Sequence, residues 1–269
     1  MAVAGWLEAV AAAFQFLTRF PLPVAIDYKD RHFRRSLVFY PVVGLAIGGV
    51  LVLAGAALRG AVPGYMAGIL LVGLWTAMSG GLHLDGLMDT ADGLLSHRSR
   101  ERMLEIMKDS RVGAMGVMVC VFYALLKVSA AAGLLGNAGM KEMLLLLPVP
   151  VWSRAFLVTA IVRWPYARRE SGLGALYRTA TGKHAFIAFA AAFAITALLF
   201  SLPAFGGWSA AALAWTAAYG AAAYGVGAVL ASAVSRKLGG LTGDVYGALN
   251  ECIELVLLLG IAIYRYHAG

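Results

Sequence analysis

Charge is what this sequence has least of: only 13% of its 269 residues are Asp, Glu, Lys or Arg, against about 25% in a soluble globular domain. That scarcity excludes an ordinary water-soluble fold. Cysteine is almost absent too. Cys120 and Cys252 both lie in apolar stretches, so there is no disulfide framework and no zinc-type spacing, and any bound metal is expected to be oxygen-ligated. No Pro- or Ser-rich linker or low-complexity tract divides the chain, which is read as one domain over residues 1–269. No Lys or Arg precedes Arg19, which argues against a signal peptide.

Apolar sequence fills the space left by charge. Hydrophobic residues make up 61% of the chain and its mean hydropathy is +0.79. Crossing the hydrocarbon layer as a helix takes roughly 20 apolar residues, since each backbone amide must find its partner inside the segment. Seven stretches qualify: Ser36–Leu58, Pro63–Leu82, Val112–Leu135, Met143–Val162, His184–Ala204, Trp208–Val234 and Cys252–Tyr266. At the N-terminus Val3, Trp6, Leu7, Val10, Phe14 and Leu17 share a helical face, the pattern of a helix lying in the membrane interface. The expected fold class is therefore all-α, a polytopic transmembrane bundle of about seven spans with an N-terminal interfacial helix.

Basic residues give this bundle a direction, because Lys and Arg in short loops collect on the cytoplasmic side. With seven spans, 17 of the 22 Lys and Arg fall on one side, from Arg19 to Arg35, Arg98 to Arg111, Arg163 to Lys183, and Arg236 with Lys237. Only Arg59, Lys141 and Arg265 face the other side, which would also hold the C-terminus. Lys127 and Arg154 sit inside predicted spans, where a charge must snorkel or find a partner. Attraction to anionic lipid accounts for most of the net charge of +8. The lipid bilayer is thus one partner, no nucleic acid is expected, and a homo-oligomer is left open.

The acids are few and grouped. In Gly80-Gly-Leu-His-Leu-Asp-Gly-Leu-Met-Asp-Thr-Ala-Asp-Gly93, Asp85, Asp89 and Asp92 stand at i, i+4 and i+7, one stripe of a helix. Three stacked carboxylates repel one another, and no Lys or Arg is interspersed between His83 and His97. A solvated acidic face is the plain alternative, but a divalent cation such as Mg²⁺ or Mn²⁺ would remove the repulsion and bridge to substrate phosphates. The same Gly-Gly-Leu-x-x-Asp pattern returns at Gly239 to Asp244, followed by Glu251 and Glu254 at the expected start of an apolar span. Ionisable groups there point to a function or a buried partner, with a helix cap as the plain alternative for either glutamate, and Asp244 is the firmer candidate.

Other candidates follow from place and chemistry. His83 could orient a ligand or take a proton, or be structural. The stretch from Ser99 to Gly113 interleaves both signs of charge with Met103, Leu104, Ile106 and Met107, a cytosolic amphipathic helix whose Lys108 and Arg111 could hold phosphate. Arg154 is either a snorkelling anchor or a buried partner of an acid. The expected catalytic set is His83, Asp85, Asp89, Asp92 and Asp244, with the four aspartates also as metal ligands. Lys108, Arg111, Arg154 and Glu251 are the expected binding residues, and the catalytic segments are 80–113 and 236–254, both cytosolic.

Four strings, Phe16-Leu-Thr-Arg-Phe-Pro-Leu-Pro23, Gly81 to Gly93, Arg100 to Gly113 and Gly239 to Glu251, together resemble cobalamin synthase, the adenosylcobinamide-GDP ribazoletransferase family of integral membrane enzymes. Two departures are Met88, where a small residue is expected, and Glu170-Ser171, which lengthens the pattern before Gly172 and shifts the register of Arg168 and Arg169. The resemblance implies a Mg²⁺-dependent transfer in the cytoplasmic membrane, in which α-ribazole or its 5′-phosphate attacks adenosylcobinamide-GDP and GMP leaves. Secondary transport is the competing class, because intramembrane acids and glycine-broken helices also mark transport pathways. Among enzymes, the CDP-alcohol phosphotransferases have a broadly similar acid spacing but lack the doubled Gly-Gly motif.

Overall fold

A computed structural model describes residues 2–24, 30–137, 139–168 and 180–268, so Lys29, Arg169, Arg178 and the Glu170-Ser171 insertion lie outside the described residues. The described chain is helical, with no β-strand and only two isolated bridges. Its helices are α1 (Ala2–Leu17), α2 (Asp30–Ser36), α3 (Tyr40–Leu58), α4 (Gly64–Met78), α5 (Leu82–Leu95), α6 (Arg100–Ile106), α7 (Ala114–Asn137), α8 (Met140–Leu144), α9 (Pro148–Arg163), α10 (Gly182–Phe200), α11 (Ala210–Leu238) and α12 (Gly243–Ala268).

Among the described residues six segments are long and apolar enough to cross a membrane, Phe33–Leu58, Ala114–Gly136, Met140–Arg163, Gly182–Phe200, Ala210–Leu238 and Gly243–His267, and the bent pair α4–α5 makes a seventh if it is counted as one span. The expected span Pro63–Leu82 differs. Its helix stops at Met78, where Gly80 (φ 64°) and Gly81 (φ 76°) take left-handed conformations, and α5 departs at 90° to α4. Consecutive left-handed residues end an α-helix, and glycine adopts them without steric strain. The expected span from Cys252 is likewise too short, since α12 begins at Gly243. Glu251 and Glu254 therefore lie two to three turns inside a spanning helix and do not cap it.

The core is centred on α9, whose Val149, Val151, Trp152, Ala155, Phe156 and Val158 are fully buried, with α3, α10, α11 and α12 packed around it. Gly44 and Gly48 of α3 meet the α9 backbone so closely that a Cβ at either would come within 2.5 Å of a carbonyl oxygen. Small residues permit such approach in the absence of any hydrophobic drive between spanning helices. At α1 the buried side is the alanine face, Ala9, Ala12 and Ala13 with Leu17. Trp6 and Leu7 of the predicted apolar face point outward, available to lipid as an interfacial helix requires.

Candidate active site

α5 and α12 pack antiparallel, and two glycines set their distance. A Cβ on Gly86 would lie 2.5 Å from the Asp244 carbonyl oxygen, and one on Gly247 would lie 3.0 Å from that of His83. Backbones this close bring Asp85 and Asp244 to one cavity of about 110 Å³, walled by Tyr40, Leu157, Ile161 and Tyr246, with His83 at its edge. The doubled Gly-Gly-Leu-x-x-Asp motif thus places its two aspartates face to face.

The stripe predicted on α5 is real, but its members differ. Asp85 is exposed and Asp89 half-buried, and among the described residues neither has a hydrogen-bond or ion-pair partner. Asp92 is engaged: its two carboxylate oxygens accept the backbone N–H groups of Gly113 and Gly116, each at 2.7 Å. These donors open α7, so Asp92 caps that helix as an anion suited to its dipole. Asp244 is paired with Arg168 at 2.9 Å and accepts from Thr242 at 3.2 Å. Arg168, absent from the candidate list, also donates to the Met107 carbonyl at 3.4 Å, and its buried Nε has no acceptor among the described residues. It stands five residues after the end of α9, where the sequence offered only the shifted register of the resemblance and no motif of its own.

Electrostatics tie the four aspartates together. Asp89 lies on α5, outside the six spanning helices; burial first, then the charges of Asp85, Asp244 and Asp92, push its carboxyl up to about 7. Such crowding is what a cation relieves. Among the described residues no three Asp, Glu, His or Cys side chains converge to hold a metal directly. Asp85, Asp89 and Asp244 are nonetheless hard oxygen donors, the kind Mg²⁺ takes one or two at a time with water and phosphate oxygens in its remaining positions. The donor set of Asp85, Asp89 and Asp244 fits such an ion.

Lys108 is exposed, and Arg111, also exposed, forks onto Asp109 at 2.6 Å. Arg154 and Glu251 lie elsewhere, in a buried polar cluster beneath the cavity. Glu254 accepts from Arg154 and from Lys127 (3.0 Å), while Glu251 accepts from Tyr123 and from Lys127 (2.9 Å). Lys127 also stands 4.1 Å from the Trp75 ring centre. Two cations thus neutralise two acids, and Arg154 proves to be the buried partner and not a snorkelling anchor. Glu254 thus has the buried partner that its place in an apolar span pointed to, whereas Tyr123 and Asn250 join the cluster without having been singled out; Lys127 inside a span had to snorkel or find a partner, and it finds these acids.

The model of the cobalamin-5-phosphate synthase family matches residues 9–262. The chain belongs to that family. Curated relatives named adenosylcobinamide-GDP ribazoletransferase cover nearly its whole length. The one from Desulfitobacterium hafniense is 40% identical over 92% of this chain and 94% of its own. Those from Caldanaerobacter subterraneus and Thermoanaerobacter pseudethanolicus are 35% and 32% identical, over 96% and 94% of this chain and 98% and 96% of theirs. No solved structure matches.

Proposed function

We propose that this family member joins adenosylcobinamide-GDP to α-ribazole, or to α-ribazole 5′-phosphate, giving adenosylcobalamin, or its 5′-phosphate, and GMP. The observation that carries the reading is that the unpartnered Asp85 shares one cavity with Asp244, which Arg168 pairs, while the unpartnered Asp89 feels the charges of both acids. Displacement at a pyrophosphate asks for positioning and charge neutralisation more than for a protein nucleophile.

In the reaction a ribazole hydroxyl oxygen bonds to the cobinamide-side phosphorus, the P–O bond to GMP breaks with its electron pair leaving on GMP, and the hydroxyl proton is released. Mg²⁺ at the acids would neutralise pyrophosphate oxygens when bound. Asp85, Asp89 and Asp244 would hold it, with Asp92 keeping α5 against α7 and, in the earlier expectation, adding a ligand. Arg168, held by Asp244 and the Met107 carbonyl, presents its free Nε–H to a phosphate oxygen. Lys108 and Arg111, both exposed, would add positive charge on the same side of the membrane.

The carboxylate end is assigned to the cytosol, in the cytoplasmic membrane, on the distribution of basic residues. Cysteine labelling in intact cells tests this: residues 83–111 and 235–243 should both label only from the inside, and opposite faces would defeat a single site. For the reaction, purified protein with Mg²⁺ should release GMP from adenosylcobinamide-GDP only when ribazole is present. GMP release without ribazole, or none with it, would remove the assignment.

A further inference from the structure

His83 stands where the cavity meets the buried charges. His83 lines the space shared with Asp85 and Asp244, and its Nδ1 lies 3.1 Å from the amide nitrogen of the fully buried Asn250. Neutral imidazole has one donor nitrogen and one acceptor, so the position of its proton decides what His83 can do.

The buried cluster fixes that position. The same Asn250 nitrogen lies 3.3 Å from Glu254 Oε1. Glu254 is held ionised by Arg154 and by Lys127, 3.0 Å from its other oxygen. Turning the amide over would set Asn250 Oδ1 against that carboxylate, acceptor against acceptor, and would orphan two buried N–H groups. The NH₂ group therefore faces Glu254 and His83, with one hydrogen for each. Nδ1 must then be the lone-pair nitrogen, and the proton sits on Nε2.

We propose, resting on the transferase reading above, that His83 serves the reaction as a neutral hydrogen-bond donor, through Nε2–H to a pyrophosphate oxygen, and not as the base that receives the hydroxyl proton. Its one basic nitrogen is committed to Asn250. Asn250 and Glu254 are positioning residues: they act on the reaction through the tautomer of His83. The buried cluster thereby acquires a task besides its own neutrality, since its negative member orients an amide that orients a ring.

The test uses the two amide side chains that mimic one ring nitrogen each. In His83→Gln the amide nitrogen falls near the position of Nε2, in His83→Asn near that of Nδ1. His83→Gln should keep turnover within about tenfold of the parent, whereas His83→Asn and His83→Ala should lose about 10² to 10³, the usual effect of removing one preorganised donor. A second readout needs no turnover: nitrogen NMR of histidine-labelled protein, with the His83 signal assigned by its loss in His83→Gln, should show Nε2 protonated and Nδ1 bare. A protonated Nδ1, or a His83→Gln variant as inactive as His83→Ala, overturns the proposal. A parent protein that releases no GMP strikes instead at the transferase reading, while the nitrogen spectrum still judges the tautomer.

Discussion

Two groups of acids on neighbouring turns of this bundle have opposite fates. Glu251 and Glu254, buried in α12, meet Lys127, Arg154 and Tyr123, so that every charge has a partner. Asp85, which lines the cavity, and Asp89, one turn further along α5, have none among the described residues. Charge buried beside lipid is tolerated only when paired, whereas carboxylates left unsatisfied at a rim keep their capacity for a ligand. The first group holds the helices, and the second is free to do chemistry.

Breaking the paired group should have the larger effect on folding. Lys127→Met leaves Glu251 and Glu254 short of a shared cation, and removing one member of a buried pair typically destabilises by about 3–5 kcal/mol. Thermal unfolding in detergent should fall accordingly. Glu251→Gln added to Lys127→Met should restore part of the loss, because the stranded charge goes with it; a double variant no better than the single would dissolve the network as described.

Asp89→Asn belongs to the other side of the comparison. It relieves crowding among Asp85, Asp92 and Asp244, so stability should hold or rise while turnover falls about 10² to 10³. Full turnover in this variant would mean that the site lies elsewhere. Gly86→Ala tests spacing in place of charge. Its Cβ would press on the Asp244 carbonyl at 2.5 Å and part the two helices, and misplacement of about 1 Å can lower turnover roughly 10²-fold. Unchanged turnover would show that the close contact is dispensable.

How much of this was legible in the sequence follows from which interactions are local. Most of the spans and the α5 stripe are local patterns and read correctly, whereas the span expected from Cys252 starts at Gly243. The arrest of α4 at Met78 was half visible: the Gly80-Gly81 pair stands in the sequence inside the expected span, but only the left-handed backbone of both residues shows that the chain turns there. The partners of Lys127 lie more than 120 residues away, and Arg168 reaches Asp244 across 76. Sequence could say that Lys127 and Arg154 needed partners, and it could not name them. Metal ligation at Asp85, Asp89, Asp92 and Asp244 rests on the chemistry of the donors, and the variants decide it.

Asp92 sits between the two groups and yields the smallest effect and the sharpest division. Its spacing makes it a third member of the metal stripe, yet its oxygens are taken by Gly113 and Gly116. Asp92→Asn keeps one acceptor and turns an NH₂ toward a backbone N–H, donor against donor. An unsatisfied buried donor costs about 1–3 kcal/mol, so the melting temperature should drop and turnover should follow the loss of folded protein. If capping is its whole role, the Mg²⁺ concentration for half-maximal turnover should stay near that of the parent, while in Asp89→Asn it rises. An equal rise in both variants would put Asp92 among the ligands, its free lone pairs serving the ion while the others hold α7. That outcome would join the two kinds of acid in one residue, satisfied on the helix side and open on the other.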